Sequence, residues 1–224
     1  LALLGLFLSQ TEDELPPVSM LDNPPEMQAS LVFSSTGDTL GRFWSVNRTS
    51  VTYKDVSPYV FDALIATEDE RFLEHAGIDF RATLRAFTSL GKSGGGSTIT
   101  QQLAKNLFTI QQRKLQKEKQ LPGIQEITKE NGWLWKNLNR SDEKSREIII
   151  AARLEERFTK QEILIMYLNT IEFNNNAVGI ESASQVYFGK KPIALTKEEA
   201  AVLVGMCKSP SLYNPYDYKK KNYV

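Results

Sequence analysis

Three short stretches of this sequence carry residues suited to acid–base chemistry on an anionic substrate. The first runs from Ala66 to Asp79 and holds five carboxylates in fourteen residues. Glu68 and Asp69 follow an apolar helical pattern, so they are predicted near a helix C-terminus, where the dipole disfavours a charged carboxylate. That environment suits a general base working near neutral pH. An ordinary solvated helix end fits the same acidic run, and this stretch alone does not separate the two interpretations.

The second stretch is Gly94–Asn106, which reads GGGSTITQQLAKN. Its glycines free the backbone, and Ser97 is predicted to cap the helix that follows, whose free amide groups attract phosphate. Thr98, Gln101 and Lys105 are spaced i, i+3, i+7, which predicts one polar helix face ending in a cation. A simple flexible loop is the alternative for the glycines themselves.

The third stretch places Glu147, Ala151 and Leu154 on one face of a predicted helix. A carboxylate on such an apolar stripe is costly to bury unless it is paired or functional. Lys144 and Arg146 lie beside it. They are either its countercharges or ligands for a phosphate group.

Composition narrows the chemistry further. The 27 basic and 27 acidic residues cancel, so no global charge points to nucleic acid as a partner. Cys207 is the only cysteine, which excludes an internal disulfide and a thiolate zinc site. His75 is the only histidine, so acid–base work falls to carboxylates. A basic run from Arg113 to Arg146 suits an anionic ligand or lipid headgroup, or is an ordinary solvated face.

The N-terminal 30 residues are more typical of a membrane anchor and a linker than of a folded core. Residues 1–8 are apolar, but a membrane span needs about 20 such residues. We expect the stub of a missing or truncated anchor at this end, or else a terminal turn or strand. Residues 9–30 are acidic and proline-rich, which is typical of an extended linker.

The rest of the chain shows strand signals followed by helix signals. Alternating residues around Thr36-Gly37-Asp38 predict a β-hairpin from Ser30 to Trp44. Helix boundaries are predicted from caps and glycines at Ser57-Pro58, Ser141, Thr159, Gly179, Gly189 and Thr196.

A polar segment of about 111–140 differs from its surroundings and is predicted to be a flap or insertion. It contains Pro122-Gly123 and the pair Trp133 and Trp135. The tryptophans suit a membrane-facing edge or, equally, a clamp that holds the flap on the domain.

Together these stretches closely resemble the family 51 glycosyltransferases, the peptidoglycan polymerases that form the N-terminal module of bifunctional penicillin-binding proteins. The resemblance rests on Glu68-Asp69…Phe72…His75-Ala-Gly77, on GGSTITQQLAKN at 95–106, and on Lys144-Ser-Arg-Glu147. Tyr167-Leu-Asn169 and the run 179–190 agree with it. It covers about residues 31–217, and the second motif is nearly diagnostic.

The resemblance implies a mainly α, lysozyme-like helical domain with a small membrane-proximal lobe, beside the short N-terminal β-hairpin. It implies a substrate, lipid II, with a growing lipid-linked glycan chain as donor and inversion to a β-1,4 product. The protein would sit at the periplasmic face of the bacterial inner membrane, with residues 218–224 starting a linker to a missing transpeptidase domain. No cofactor is implied; a divalent cation could assist at the pyrophosphate, but no residue cluster in the sequence calls for one.

Site residues follow from the motif positions. Glu68 matches the general base that takes the proton of the acceptor 4-hydroxyl, and Glu147 matches a second carboxylate at the donor pyrophosphate. The expected substrate-binding residues are Asp69, His75, Ser97, Thr98, Gln101, Gln102, Lys105, Asn106, Lys144, Arg146, Arg153 and Asn169. The sequence departs from the family pattern at Glu143, Ile165 and Asn174, while both carboxylates are present.

Competing functions fit less well. A lysozyme-type hydrolase could use the same fold and one glutamate, but nothing in the 95–106 motif suits it. A non-catalytic scaffold is disfavoured by the presence of both Glu68 and Glu147. Matches to the transpeptidase pattern Ser-x-x-Lys at Ser89 and Ser141 fall out of order with its other signature and arise by chance.

Overall fold

A computed structural model describes residues 30–33, 35–36, 39–43, 47–88, 96–109 and 132–216. Predictions for the anchor stub and linker, for Gly94 and Gly95, for most of the flap and for 218–224 lie outside these residues. The described chain is mostly helical, which confirms the mainly α prediction. None of its helices has the length and apolar character needed to cross a membrane.

The described residues form short strands and longer helices, numbered in chain order. The strands are β1 (Ser30–Phe33), β2 (Thr39–Phe43), β3 (Asn47–Arg48), β4 (Glu172–Phe173) and β5 (Ala177–Val178). The α-helices are α1 (Pro58–Glu68), α2 (Phe80–Thr88), α3 (Ile99–Ala104), α4 (Gly132–Arg157), α5 (Lys160–Thr170), α6 (Gly179–Phe188) and α7 (Lys197–Lys208). Short 3-10 helices span Tyr53–Asp55 and Pro192–Ala194, and a π-helical turn spans Lys105–Thr109.

The chain divides into two compact units. The first, the Glu68 unit, comprises Glu26–Glu74 and Thr159–Val224. The second, the Lys144 unit, comprises Leu1–Pro25 and His75–Phe158, and its described part lies within the latter range. The prediction that one lobe lies close to a membrane stays a prediction.

Strands in the Glu68 unit form two small sheets. β1 and β2 pair antiparallel with Ser30 opposite Phe43, which confirms the predicted hairpin. In the other sheet β5 lies in the middle, parallel to β3 and antiparallel to β4. The turn between β4 and β5 uses Asn175 and Asn176 in the left-handed region, a conformation that asparagine adopts more readily than most residues.

Helix starts in the Glu68 unit follow local capping chemistry. Thr159 and Thr196 each form the predicted capping box, with Glu162 and Glu199 three residues later. Hydrogen bonds from the Thr159 backbone and hydroxyl lower the pKa of Glu162. Ser57 precedes α1 as predicted but makes no side-chain cap, because its hydroxyl donates to the carbonyl of Leu195 at 3.1 Å.

The core of the Glu68 unit lies where α1, α5, α6 and α7 meet. α1 packs along α7, and α6 contacts both α5 and α7. Fully buried apolar side chains on these helices include Val60, Leu64, Ile163, Leu168, Ile180 and Leu203. Burial of each such side chain contributes about 1.5–3 kcal/mol, so this packing holds α1, and Glu68 at its end, in a fixed position.

In the Lys144 unit the short helix α3 packs along α4. Ile99, Leu103, Ile150 and Leu154 are buried in this unit. α4 begins at Gly132, nine residues before the predicted start at Ser141, so the end of the predicted flap is helical. The acidic residues after Ser141 resemble a first turn, but no proline or glycine follows Gly132 within α4 to interrupt the helix.

Candidate active site

The side chain of Lys144 is the centre of a polar cluster in the Lys144 unit. Its ammonium donates to Ser97 Oγ at 2.7 Å, to Gln101 Oε1 at 3.2 Å and to Glu147 Oε2 at 3.1 Å. The Glu147 side chain is 10% exposed, whereas that of Lys144 is 43% exposed. The ammonium therefore balances a nearly buried carboxylate and still offers a charged surface to an anion.

Both helices contribute to this cluster through simple spacing. Lys144 and Glu147 are at i, i+3 on α4, so they lie on one side of the helix. Ser97 and Gln101 flank the N-terminus of α3. Ser97 was predicted to cap α3, and that prediction is wrong: the cap is Thr98, whose hydroxyl accepts from the Gln101 amide at 3.1 Å. Ser97 is thereby left to contact the ammonium.

Thr98 also ties α3 to the end of the first stretch, at Gly77. Its hydroxyl donates to the carbonyl of Gly77 at 2.7 Å, and the residue is only 2% exposed. Gly77 has φ of +83° and lies directly on α4, since a Cβ there would be 3.0 Å from the backbone of Ala151. Thr98 was expected to bind substrate. Its described hydrogen bonds hold α3 in place, and its contact with substrate stays a prediction.

Gly77→Ala should lower the free energy of unfolding by about 3 kcal/mol, because strain at positive φ adds to a clash with the α4 backbone. Gly189→Ala is the matched control, with φ of +63° and nothing within 4 Å of its added Cβ. The control should cost only about 1 kcal/mol. Urea unfolding measures both, and equal costs would mean that Gly77 is not held against α4.

Glu68 is the last residue of α1, as predicted, and one of its carboxylate oxygens, Oε1, is buried. Burial raises the pKa of Tyr167 far above its ordinary value, and Cys207 and the Glu68 charge raise it further. Burial, then Glu68, raises the pKa of Cys207. Both groups are therefore neutral at neutral pH, and the Glu68 carboxylate lies near a phenol and a thiol that carry no charge.

The turn after Glu68 is anchored by Phe72. This ring is fully buried, and the ammonium of Lys160 lies 4.3 Å from its centre. A cation at this distance is attracted to the ring face. Asp69 is buried as well, and its carbonyl accepts from the Phe72 amide at 2.9 Å. The turn is therefore held from both sides, which fixes the direction in which α1 ends.

Asn169, another predicted substrate ligand, has a clear structural contact. Its side chain accepts from the Val51 amide at 3.1 Å and donates to the Val51 carbonyl at 2.9 Å. The Asn169 amide thus bonds both backbone groups of Val51, as a neighbouring β-strand would, and joins α5 to the segment after β3. The geometry favours a structural role for Asn169.

The remaining predicted ligands differ in their exposure to solvent. Lys105 is exposed in the π-helical turn rather than at the end of an α-helical face. The others of this remaining group, which are all half-buried, are His75, Gln102, Asn106, Arg146 and Arg153. Described hydrogen bonds join Ser97, Gln101, Lys144 and Glu147 into one cluster.

Sequence reasoning missed Thr100 and Glu155. The Thr100 hydroxyl donates to Glu155 Oε1 at 2.6 Å, and Thr100 is fully buried. A signal existed, since Glu155 follows Glu147 by eight residues and so falls on the same helix face. The threonine partner, 55 residues away in sequence, carried no such signal.

The chain matches a known protein family. The family described as Transglycosylase matches residues 36–223. The chain belongs to this family, which confirms its resemblance to the family 51 glycosyltransferases and identifies it as a transglycosylase domain.

Similar proteins carry penicillin-binding names. Penicillin-binding protein 1A of Escherichia coli (strain K12) is 36% identical over 208 residues, which are 91% of this chain and 21% of that protein. Penicillin-binding protein 1A of Aquifex aeolicus (strain VF5) is 34% identical over 97% of this chain and 27% of that protein. Penicillin-binding protein 1F of Bacillus subtilis (strain 168) is 37% identical over 87% of this chain and 24% of that protein. The chain therefore spans roughly a quarter of the length of these relatives.

Proposed function

We propose that this chain polymerises lipid II into β-1,4-linked glycan strands, with a growing chain on a lipid pyrophosphate as donor. The observation that carries the proposal is the Lys144 ammonium, partly exposed beside Ser97 and Gln101 at the start of α3. A partly exposed ammonium beside two neutral polar side chains favours a phosphate-bearing ligand. Family membership supplies the reaction class.

The Lys144 cluster would act on the donor. A lipid pyrophosphate is already a good leaving group, so holding it in position and stabilising its developing charge provide much of the catalysis. Lys144 provides the charge. Glu147 keeps the ammonium oriented at 3.1 Å and assists at the same group.

Glu68 would act on the acceptor. As general base it takes the proton of the acceptor 4-hydroxyl while that oxygen attacks the donor C1, and the pyrophosphate leaves from the opposite face. The α-linked donor is thereby inverted to a β-linked product. The position of Glu68 at the end of α1, with its Oε1 buried, supports this role.

We propose that the protein works at the periplasmic face of the bacterial inner membrane, where a lipid-linked substrate is found. The full-length protein is expected to contain a transpeptidase domain, because the relatives carry penicillin-binding names. Nucleic acid is not a proposed partner. The chemistry requires no cofactor, since the leaving group is already activated, and a chelator should leave turnover unchanged.

The test is to incubate this chain with labelled lipid II in detergent and to separate the products by size. Long glycan that a muramidase degrades is the expected result. Disaccharide released without any longer product would indicate a hydrolase. The absence of product from a chain shown to be folded by circular dichroism would contradict the proposed function and favour a scaffold.

A further inference from the structure

The hydrogen bond between Thr100 and Glu155 joins α3 to the C-terminal part of α4. It is short, at 2.6 Å, and Thr100 at its α3 end is completely buried. A buried hydroxyl that donates to a carboxylate is costly to separate, since the fully buried hydroxyl then loses its partner in a low-dielectric setting. This bond therefore fixes one point of α3 on α4.

A second attachment lies farther along the same face of α4. Lys144, Glu147, Ala151 and Glu155 recur at intervals of three or four residues and form one stripe on the helix. Lys144 and Glu155 are eleven residues apart, which is about 16 Å along the axis. α3 is attached at both ends of this stripe, through Gln101 to Lys144 and through Thr100 to Glu155.

Gly77 and Thr98 form a further contact between α3 and α4. Where Gly77 would carry a Cβ, the Glu155 Cγ lies 3.2 Å away and the Ala151 backbone 3.0 Å away. Its carbonyl accepts the Thr98 hydroxyl, and Thr98 caps α3. Glu155 thus contacts α3 through its carboxylate and supports Gly77 through its methylene groups.

We propose that Glu155 is a positioning residue: through Thr100 it sets the rotation of α3 on α4, and thereby the placement of Ser97 and Gln101 around Lys144. The functional consequence rests on the proposed function. The Thr100 bond adds to the packing of Ile99 and Leu103 and to the Lys144 contacts, and it resists rotation of this short helix about its own axis. Since Ser97 and Gln101 flank the α3 N-terminus, a small rotation would move both away from the ammonium.

The first test reads the Lys144 environment without any substrate. Trace acetylation, followed by peptide mass spectrometry, measures the reactivity of the Lys144 amine in the whole chain. In Thr100→Val the labelling rate should rise about fivefold, the population change that a lost hydrogen bond brings. Lys190 is the internal control, because its side chain is 41% exposed and ion-paired with Glu199 at 2.6 Å. Its rate should not change.

Conservative variants separate positioning from plain stability. Thr100→Ser keeps the hydroxyl, and Glu155→Gln keeps a carbonyl that accepts from Thr100, so both should label Lys144 at the wild-type rate. Glu155→Leu should behave like Thr100→Val and replaces it if that variant does not fold. Glu156→Gln, exposed on α4, is a neutral control. Unchanged Lys144 labelling in a folded Thr100→Val or Glu155→Leu variant would overturn the proposal.

Activity gives an independent measurement. If lipid II is the substrate, kcat/KM should fall at least about tenfold in Thr100→Val at a temperature well below its unfolding midpoint, and Thr100→Ser should restore it. Wild-type kcat/KM in a folded Thr100→Val variant would also overturn the proposal. A wild-type chain that makes no polymer would refute the proposed function alone, because the labelling contrast is decided without turnover.

Discussion

Replacing Glu68 by glutamine should reduce lipid II polymerisation about a thousandfold, within the usual contribution of a general base. Glutamine keeps the size and hydrogen-bonding shape of the side chain but cannot take a proton. Glu68 lies at the end of α1, which is packed along α7, so the substitution should not disturb the fold. Initial rates with labelled lipid II measure the effect.

Glu70→Gln is the matched control, because Glu70 is exposed in the turn that follows Glu68. It should keep the wild-type rate. Lipid II binding, followed by fluorescence anisotropy, should be nearly unchanged in both variants, since only the proton acceptor is lost. A Glu68→Gln variant that still polymerises within about tenfold of wild type would remove Glu68 from the role of base.

Replacing Lys144 by methionine should reduce kcat/KM about a hundredfold, the usual loss when one charge-stabilising donor is removed from a reacting centre. Methionine keeps much of the length and the apolar stem but loses the charge. Ser97, Gln101 and Glu147 then lose their common donor. Steady-state kinetics measure the change, and a lower unfolding temperature should accompany it, because Glu147 loses its countercharge.

Lys190→Met provides the comparison, since Lys190 is equally exposed and also paired with a glutamate. It should lose some stability but little activity. Lys144→Arg separates charge from geometry: a planar guanidinium replaces a compact ammonium, so activity should recover only partly. Equal losses in Lys144→Met and Lys190→Met would show that stability, and not anion binding, explains the effect of Lys144.

Local chemistry made much of the fold predictable from sequence. The hairpin of β1 and β2 follows from alternation around a turn, and the starts of α5 and α7 follow from capping boxes. These signals work because partner residues lie three or four positions apart. The start of α4 was missed since acidic residues after Ser141 resemble a first turn, although the helix already continues from Gly132.

Side-chain capping bonds are absent at Ser57 and Ser97 because tertiary partners compete for each hydroxyl. Ser57 donates to Leu195, 138 residues later, and Ser97 accepts from Lys144, 47 residues later. In the second case the neighbouring Thr98 takes over as cap. Composition and local spacing do not reveal partners so far away in sequence. The sequence analysis therefore assigned these hydroxyls to nearby helix starts.

The residues of the candidate site were predictable from sequence, but most of their hydrogen-bond partners were not. Motif spacing identified Lys144, Glu147 and Gln101, and the structure joins them by hydrogen bonds. The link between Thr100 and Glu155 needs two helices to meet in a particular register, which no motif encodes. For the same reason the contacts between Asn169 and Val51 emerge only from the fold.

The central claim is that this chain joins lipid-linked disaccharides by transfer, with loss of a lipid pyrophosphate. The most direct measurement uses lipid II labelled separately in its sugar and its lipid, and counts released lipid pyrophosphate against glycosidic bonds formed. The expected result is one lipid pyrophosphate released for each glycosidic bond formed, in a β-1,4-linked glycan. Release of lipid pyrophosphate with no lengthening of glycan would contradict it, since water would then be the acceptor.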